Sequence, residues 1–234
     1  MPHKYLFILS PPYSGSTVLW QLLQTSRRVA ALPDEGQKLP ELRDEMRRDP
    51  WNPAREFPWG RISEVWHGYW DLSKPILLEK SPPHLCRAEH LDAHFSPAWH
   101  ILLLRDPLAT CEGLHRRNNL DWMEAAERWC QWLKMHVQAR QQLPRHIVVY
   151  YENLVNDTTT VLNQLGQWVM ELDDVKADAA VEAHAVDGQQ RRPLVDLNPM
   201  KIDTIAPEHR DRVVERLRRD AALLAQTPYG ERYL

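Results

Sequence analysis

Cysteine is scarce in this chain: Cys86, Cys111 and Cys130 are the only three in 234 residues. They form neither an even set nor a Cys-x-x-Cys pair, and a chain of this length needs no covalent staples. A disulfide scaffold is therefore excluded, and a reducing cytoplasm is the expected setting. Charge of one sign is lacking too. Lys and Arg number 29 against 32 Asp and Glu, a net charge of −3, so no basic field spans the molecule to hold a nucleic-acid backbone, and any anion site must be local. Long apolar runs are absent as well. The run over residues 5–9 meets two prolines at once and is too short for a signal peptide or a membrane span. There is no internal repeat and no low-complexity tract. His84, Cys86, His90 and His94 cluster, but their spacing fits no closed zinc pattern, so no metal is expected.

With 43% hydrophobic residues the chain can bury a sizeable core, and its length suits one domain over residues 1–234. Residues 5–9, 75–78, 100–104 and 146–150 are short continuous apolar runs, the pattern of strands buried on both faces of a parallel sheet. Helical periodicity lies between them over 17–26, 86–94, 108–117 and 122–142. This alternation predicts a three-layer α/β fold, a central parallel sheet flanked by helices. The C-terminal part predicts helices over 157–170, 174–184 and 207–226, with Pro207 at a first helical position. Residues 39–60 and 188–198 predict ordered loops. Trp51, Trp59, Trp66 and Trp70 mark residues 39–74 as an insert that either packs into the core or forms a lid and acceptor pocket.

The first strand runs into Ser10-Pro11-Pro12-Tyr13-Ser14-Gly15-Ser16-Thr17 and then an apolar helix. Gly15 permits a backbone conformation closed to other residues, the hydroxyls of Ser16 and Thr17 can donate, and the helix start adds a positive dipole end. That combination cradles phosphate and similar anions. A plain capped helix with Ser14 or Ser16 as N-cap uses the same residues. An ordinary nucleoside-triphosphate loop needs a second glycine and a lysine, and both are missing here.

The segment resembles the 5′-phosphosulfate loop of sulfotransferases that use 3′-phosphoadenosine 5′-phosphosulfate (PAPS), Pro-Lys/Arg-Ser-Gly-Ser/Thr-Thr-x-Leu; here it reads Pro12 to Leu19, then Leu22-Leu23. Three later segments follow in family order. Leu104-Arg105-Asp106-Pro107 resembles the turn whose arginine meets the 3′-phosphate. Val149-Tyr150-Tyr151-Glu152-Asn153-Leu154 resembles a supporting strand end. Asn198-Pro199-Met200-Lys201 resembles the returning loop that closes on the nucleotide. The chain is similar to divergent, bacterial-type members of this P-loop family, and the resemblance implies sulfuryl transfer from PAPS, with its desulfated product PAP (3′-phosphoadenosine 5′-phosphate) released and no metal required.

The resemblance implies that Tyr13, Ser14, Gly15, Ser16 and Thr17 surround the phosphosulfate and that Arg105, Lys201 and the position of Gly113 serve the 3′-phosphate, with Arg191 and Arg192 as further candidates. Two positions depart from the family: Tyr13 replaces a cationic residue, and Gly113 replaces a serine for which Thr110, Arg116 or Arg117 could substitute. Glu79-Lys80-Ser81 ends a predicted strand, where α/β sheets gather ligands. Lys80 resembles the strand-end lysine of tyrosylprotein sulfotransferases and is the expected cation. Glu35, Glu79 and His84 compete as general base. Glu79 and Lys80 point to opposite faces of an extended strand, which favours Glu35. The expected acceptor is a small molecule, glycan or peptide carrying a hydroxyl or amine. The alternatives are an ATP-dependent small-molecule kinase, which would want magnesium and the missing lysine, and a non-catalytic nucleotide-binding protein.

Overall fold

The computed structural model describes residues 3–185 and 188–234. Five strands, β1 (Lys4–Leu9), β2 (Val29–Ala31), β3 (Ile76–Glu79), β4 (Ala98–Leu104) and β5 (His146–Tyr150), form one sheet in the order β2-β3-β1-β4-β5. Every pairing in it is parallel, with Tyr5 beside both Leu77 and Ala98. The predicted strands are present. β2 escaped the sequence pattern because three residues carry no periodicity.

Side-chain alternation divides the core into two layers. Leu6, Ile8, Ile76, Leu78, Ile101 and Leu103 face α1 (Ser16–Leu23), α7 (Tyr151–Asn156) and α8 (Thr158–Trp168). Phe7, Leu9, Leu77, Leu102 and Leu104 face the other layer: α2 (Arg43–Met46), α3 (Trp59–Tyr69), α4 (Ala88–His94), α5 (Pro107–Asn118) and α6 (Trp122–Gln142). α6 starts on a reciprocal cap between Asp121 and Glu124. Within residues 39–74, Trp59, Trp66 and Trp70 are buried in the core, and Trp66 stacks on Phe95 at 5.2 Å.

The C-terminal part differs from expectation. No helix covers 174–184; β6 (Val181–Ala185) and β7 (Gly188–Arg192) form a separate antiparallel hairpin. β6 lies against α1, where the Gln21 side chain satisfies both the N–H and the C=O of Glu182. This long-range pairing replaces the helical one. β7 also occupies the first part of the predicted 188–198 loop, and α2 and the start of α3 lie in the predicted 39–60 loop. The predicted 207–226 helix is broken into α10 (Pro207–Arg218) and α11 (Ala221–Leu224), preceded by α9 (Asn198–Ile202) and followed by α12 (Tyr229–Tyr233).

Two buried histidines make the fold sensitive to acid. His100 on β4 stacks on Phe7 at 5.7 Å, and His136 lies fully buried on α6; burial pushes both down to about 4. Unfolding exposes them to water, where they take up a proton near pH 6.5, so the unfolded chain binds more protons between pH 4 and 6.5. Stability therefore falls as pH drops through that window, by about 2 kcal/mol per histidine at pH 5. Urea unfolding at pH 7 and pH 5 measures this; equal midpoints would contradict it.

Candidate active site

The order β2-β3-β1-β4-β5 places a switch point at the carboxyl end of β1, and a cavity of about 550 Å³ opens there. Its floor is the loop leaving β1. Gly15 takes a left-handed φ of 89° as the residue before α1, and its carbonyl accepts the first helical N–H groups from Val18 and Leu19. A Cβ at Gly15 would lie 2.5 Å from the Tyr151 ring, so position and conformation both demand glycine. Neither Ser14 nor Ser16 caps α1, contrary to the capped-helix alternative, and no acidic residue stands in its first turn. The positive end of α1 is left to the cavity. Ser14 turns inward, its hydroxyl buried without a partner among the described residues.

Strand parity decides where the ends of β3 and β4 point. Lys80 continues the Ile76-Leu78 face toward α1, and its Nζ lies 3.0 Å from Glu35 Oε1 and 3.3 Å from Thr17 Oγ1. Glu79 points to the opposite face. There its Oε1 accepts from the Gly36 N–H (2.9 Å) and Ser81 Oγ (2.5 Å), while Oε2 lies 2.9 Å from His84 Nδ1. Trp66 closes on Gly36 from the other side, so tightly that a Cβ there would sit 2.6 Å from the indole. Glu79 and Trp66 thus pin the turn that carries Glu35. Burial alone would raise the Glu35 pKa, but Lys80, the Gln37 amide and Lys38 together hold it below the usual value.

Arg105 follows β4 on the same face as Lys80 and is 3% exposed. Its guanidinium lies 3.8 Å from the centre of the Tyr151 ring, and it donates from Nε to Asn198 Oδ1 (2.7 Å) and from Nη1 to the Tyr13 carbonyl (3.2 Å). Among the described residues no carboxylate pairs with it, and Nη2 has no partner. Lys201 on α9 lies 3.0 Å from Glu112 Oε2, yet burial and the nearby Arg105 charge lower its pKa to about 8. Among the described residues Thr110 Oγ1 is buried without a partner, and Arg116 pairs with Glu112 at 2.5 Å.

Tyr13 has a left-handed φ of 64°, and its ring leaves the loop for α5, where the hydroxyl donates to Asn118 and Arg117 lies over the ring at 5.5 Å. A Cβ at Gly113 would lie 2.8 Å from Tyr13 Cγ and 3.2 Å from Lys201 Nζ. Gly113 is the gap that the ring fills.

Of the residues singled out from sequence, Tyr13, Gly15, Ser16, Thr17, Glu35, Lys80, Arg105, Arg116, Arg117 and Lys201 line one cavity. Ser14, Glu79, His84 and Gly113 lie behind that lining. Arg191 is exposed on β7, and the side chain of Arg192 lies outside the described residues. Trp51 is the one tryptophan of residues 39–74 in the lining, beside Arg47 and Pro50. Asn118, Gln37 and Tyr151 were missed as lining residues; only Tyr151 carried a signal, its place at the end of a core strand. His90 and His94 stack on Trp59, and His84 also meets that ring, tilted at 6.3 Å, while its Nδ1 lies on Glu79. The three cysteines are free. Among the described residues no helix is long and apolar enough to cross a membrane.

A parallel three-layer sheet with a glycine-bearing turn and buried cations at its switch point defines an α/β protein whose crevice suits a multiply charged anion. The sequence profile of the Sulfotransferase family matches residues 6–173, and the chain belongs to that family; it is a sulfotransferase, a transferase of sulfuryl groups. Solved structures share the fold along nearly the whole chain. A sulfotransferase domain from the curacin biosynthetic pathway is 19% identical, covering 93% of this chain and 98% of its own, with a TM-score of 0.57. A sulfotransferase from Alicyclobacillus acidocaldarius is 14% identical, covering 96% and 94%, at 0.58. A mouse sulfotransferase complexed with PAP is 12% identical, covering 97% and 87%, at 0.52. No curated protein matches the chain by sequence.

Proposed function

We propose that this sulfotransferase takes its sulfuryl group from PAPS and passes it to a hydroxyl or amine of a small-molecule, glycan or peptide acceptor. The observation that carries the reading is the pairing of two features in one cavity. Arg105 is a buried guanidinium with, among the described residues, no carboxylate partner and an idle Nη2, and it stands beside the loop that carries the Gly15 turn, with Thr17 and Lys80 in the same lining. A buried unpaired cation is costly unless an anion completes it, and a phosphate matches a planar guanidinium. The mouse relative solved with PAP supports the same donor. The residues therefore fit PAPS: Arg105 and Lys201 would hold its 3′-phosphate, and the loop from Ser14 to Thr17 its phosphosulfate. Bound PAPS supplies a sulfuryl group already joined to a good leaving phosphate.

The chain's own residues do the rest. Lys80 faces the loop and counters negative charge gathering there. Glu35, kept ionised by Lys80, accepts the acceptor's proton. An anion in the loop competes with Glu35 for Lys80, and as Lys80 turns to it Glu35 becomes the stronger base. Glu79 and His84 hold the Glu35 turn from behind. The acceptor enters past Gln37, Arg47 and Trp51, beside Glu35.

A thermal shift with PAP, compared with ATP plus magnesium, tests the donor. At about 100 times its Kd, PAP should raise Tm by roughly 5–10 °C. Stabilisation by ATP alone would overturn the reading. Lys201 adds a pH dependence: its charged form holds the phosphate, and its pKa is about 8 in the free protein. PAP affinity should fall as pH rises through 8 and should lose most of that slope in Lys201→Met, measured by titration calorimetry. An unchanged slope in the variant would remove Lys201 from the site.

A further inference from the structure

Arg105 is joined to α12 by an unbroken line of buried and partly buried hydrogen bonds. Its Nε donates to Asn198 Oδ1 (2.7 Å), Asn198 Nδ2 donates to Glu152 Oε1 (2.6 Å), and the Tyr229 hydroxyl donates to Glu152 Oε2 (2.7 Å). A second line runs beside it. The Asp106 N–H also donates to Glu152 Oε1 (3.0 Å), while Asp106 Oδ2 accepts from Tyr233 (2.6 Å) and from Arg232 (3.0 Å). Asn198 is 2% exposed. The helix that supplies Tyr229, Arg232 and Tyr233 lies beyond residue 173, where the family profile match ends.

The middle member of the line is an amide, and its chemistry matters. Asn198 accepts from a guanidinium through Oδ1 and donates to a carboxylate through Nδ2, two atoms of one neutral group, which neither a carboxylate nor an apolar side chain can reproduce. A carboxylate at that place would pair with Arg105 directly and neutralise it; an apolar side chain would leave Arg105 Nε without its acceptor and remove one of the donors to Glu152. The amide transmits orientation and keeps the charges apart. We propose that Asn198 is a positioning residue that insulates Arg105 from Glu152, and that Tyr229 of α12 orients Glu152, so that the last turn of the chain completes the donor-nucleotide site. This rests on the reading that Arg105 meets the 3′-phosphate of that nucleotide.

The test compares binding of PAP with binding of adenosine 5′-monophosphate, which lacks the 3′-phosphate, in the full chain. Asn198→Asp should weaken PAP by roughly tenfold or more at pH 8 while leaving adenosine 5′-monophosphate nearly unchanged. Tyr229→Phe, at the far end, should weaken PAP by roughly threefold to tenfold with the same selectivity. If wild type binds no PAP, the donor reading fails. If wild type binds PAP and both variants match it, or if both ligands weaken equally, the insulating role fails while the donor reading stands. Should Asn198→Asp not fold, the Tyr229→Phe comparison decides by itself.

Discussion

Lys80→Ala is expected to lower turnover by about 10²- to 10³-fold while changing PAP affinity far less, a loss typical of removing one group that stabilises transition-state charge. Tyr13, at the position where the resemblance expects a loop cation, is uncharged and turns its ring onto α5. Lys80 is the ammonium that touches the loop, through Thr17 at 3.3 Å. Its side chain is 7% exposed, so its charge acts with little screening. The variant carries a second signature. Without Lys80 the main influence lowering the Glu35 pKa is gone, although Lys38 stays 3.2 Å away, so the acid limb of the pH profile should move to higher pH. Glu35→Gln should lose turnover as well but keep or improve PAP binding, because it releases Lys80 to the anion. PAP formation from PAPS, with acceptor or as slow hydrolysis, measures all of these. A Lys80→Ala enzyme at the wild-type rate would assign the charge to another cation.

Gly113→Ser is the second large effect. Restoring the family's usual serine places a Cβ 2.8 Å from the Tyr13 ring and 3.2 Å from the Lys201 amine. Overpacking of this kind costs about 1–3 kcal/mol. The strain passes into the anion loop, because the Tyr13 carbonyl also accepts from Arg105. We expect a lower Tm and PAP affinity reduced by roughly tenfold, both larger than the effect of Tyr13→Phe, which loses only the bond to Asn118. Tyr13→Asn with Gly113→Ser should recover most of the loss, since Asn tolerates the left-handed conformation and vacates the gap. A double variant that shows the sum of the single effects would refute the interlock. On this account the two departures from the family pattern are one feature, a ring that moved and a glycine that made room for it.

Much of the fold was legible because β1, β3, β4 and β5 are continuous apolar runs, and burial on both faces leaves that mark in any sequence. β2 is too short to carry it. The hairpin of β6 and β7 and the break between α10 and α11 answer to contacts far along the chain, such as Gln21 with Glu182, which local periodicity does not record. At the site, Gly15 and Thr17 stood out in the small-residue loop between the first predicted strand and its helix, and Lys80 and Arg105 at or just past the ends of predicted strands. Glu35 and Glu79 were separated only in part by strand parity.

What the sequence by itself determined is the alternation of strand and helix, the glycine-bearing loop after β1, and the cations at the carboxyl ends of β3 and β4, all of them properties of contiguous residues. Tertiary structure alone decided that Glu35 meets Lys80 while Glu79 braces the turn behind it, that Tyr13 fills the space over Gly113, and that Asn198 stands between Arg105 and Glu152. These are contacts between segments distant in the chain. Their partners are chosen by packing and by the need to satisfy buried polar groups, and neither is written in any one stretch of residues.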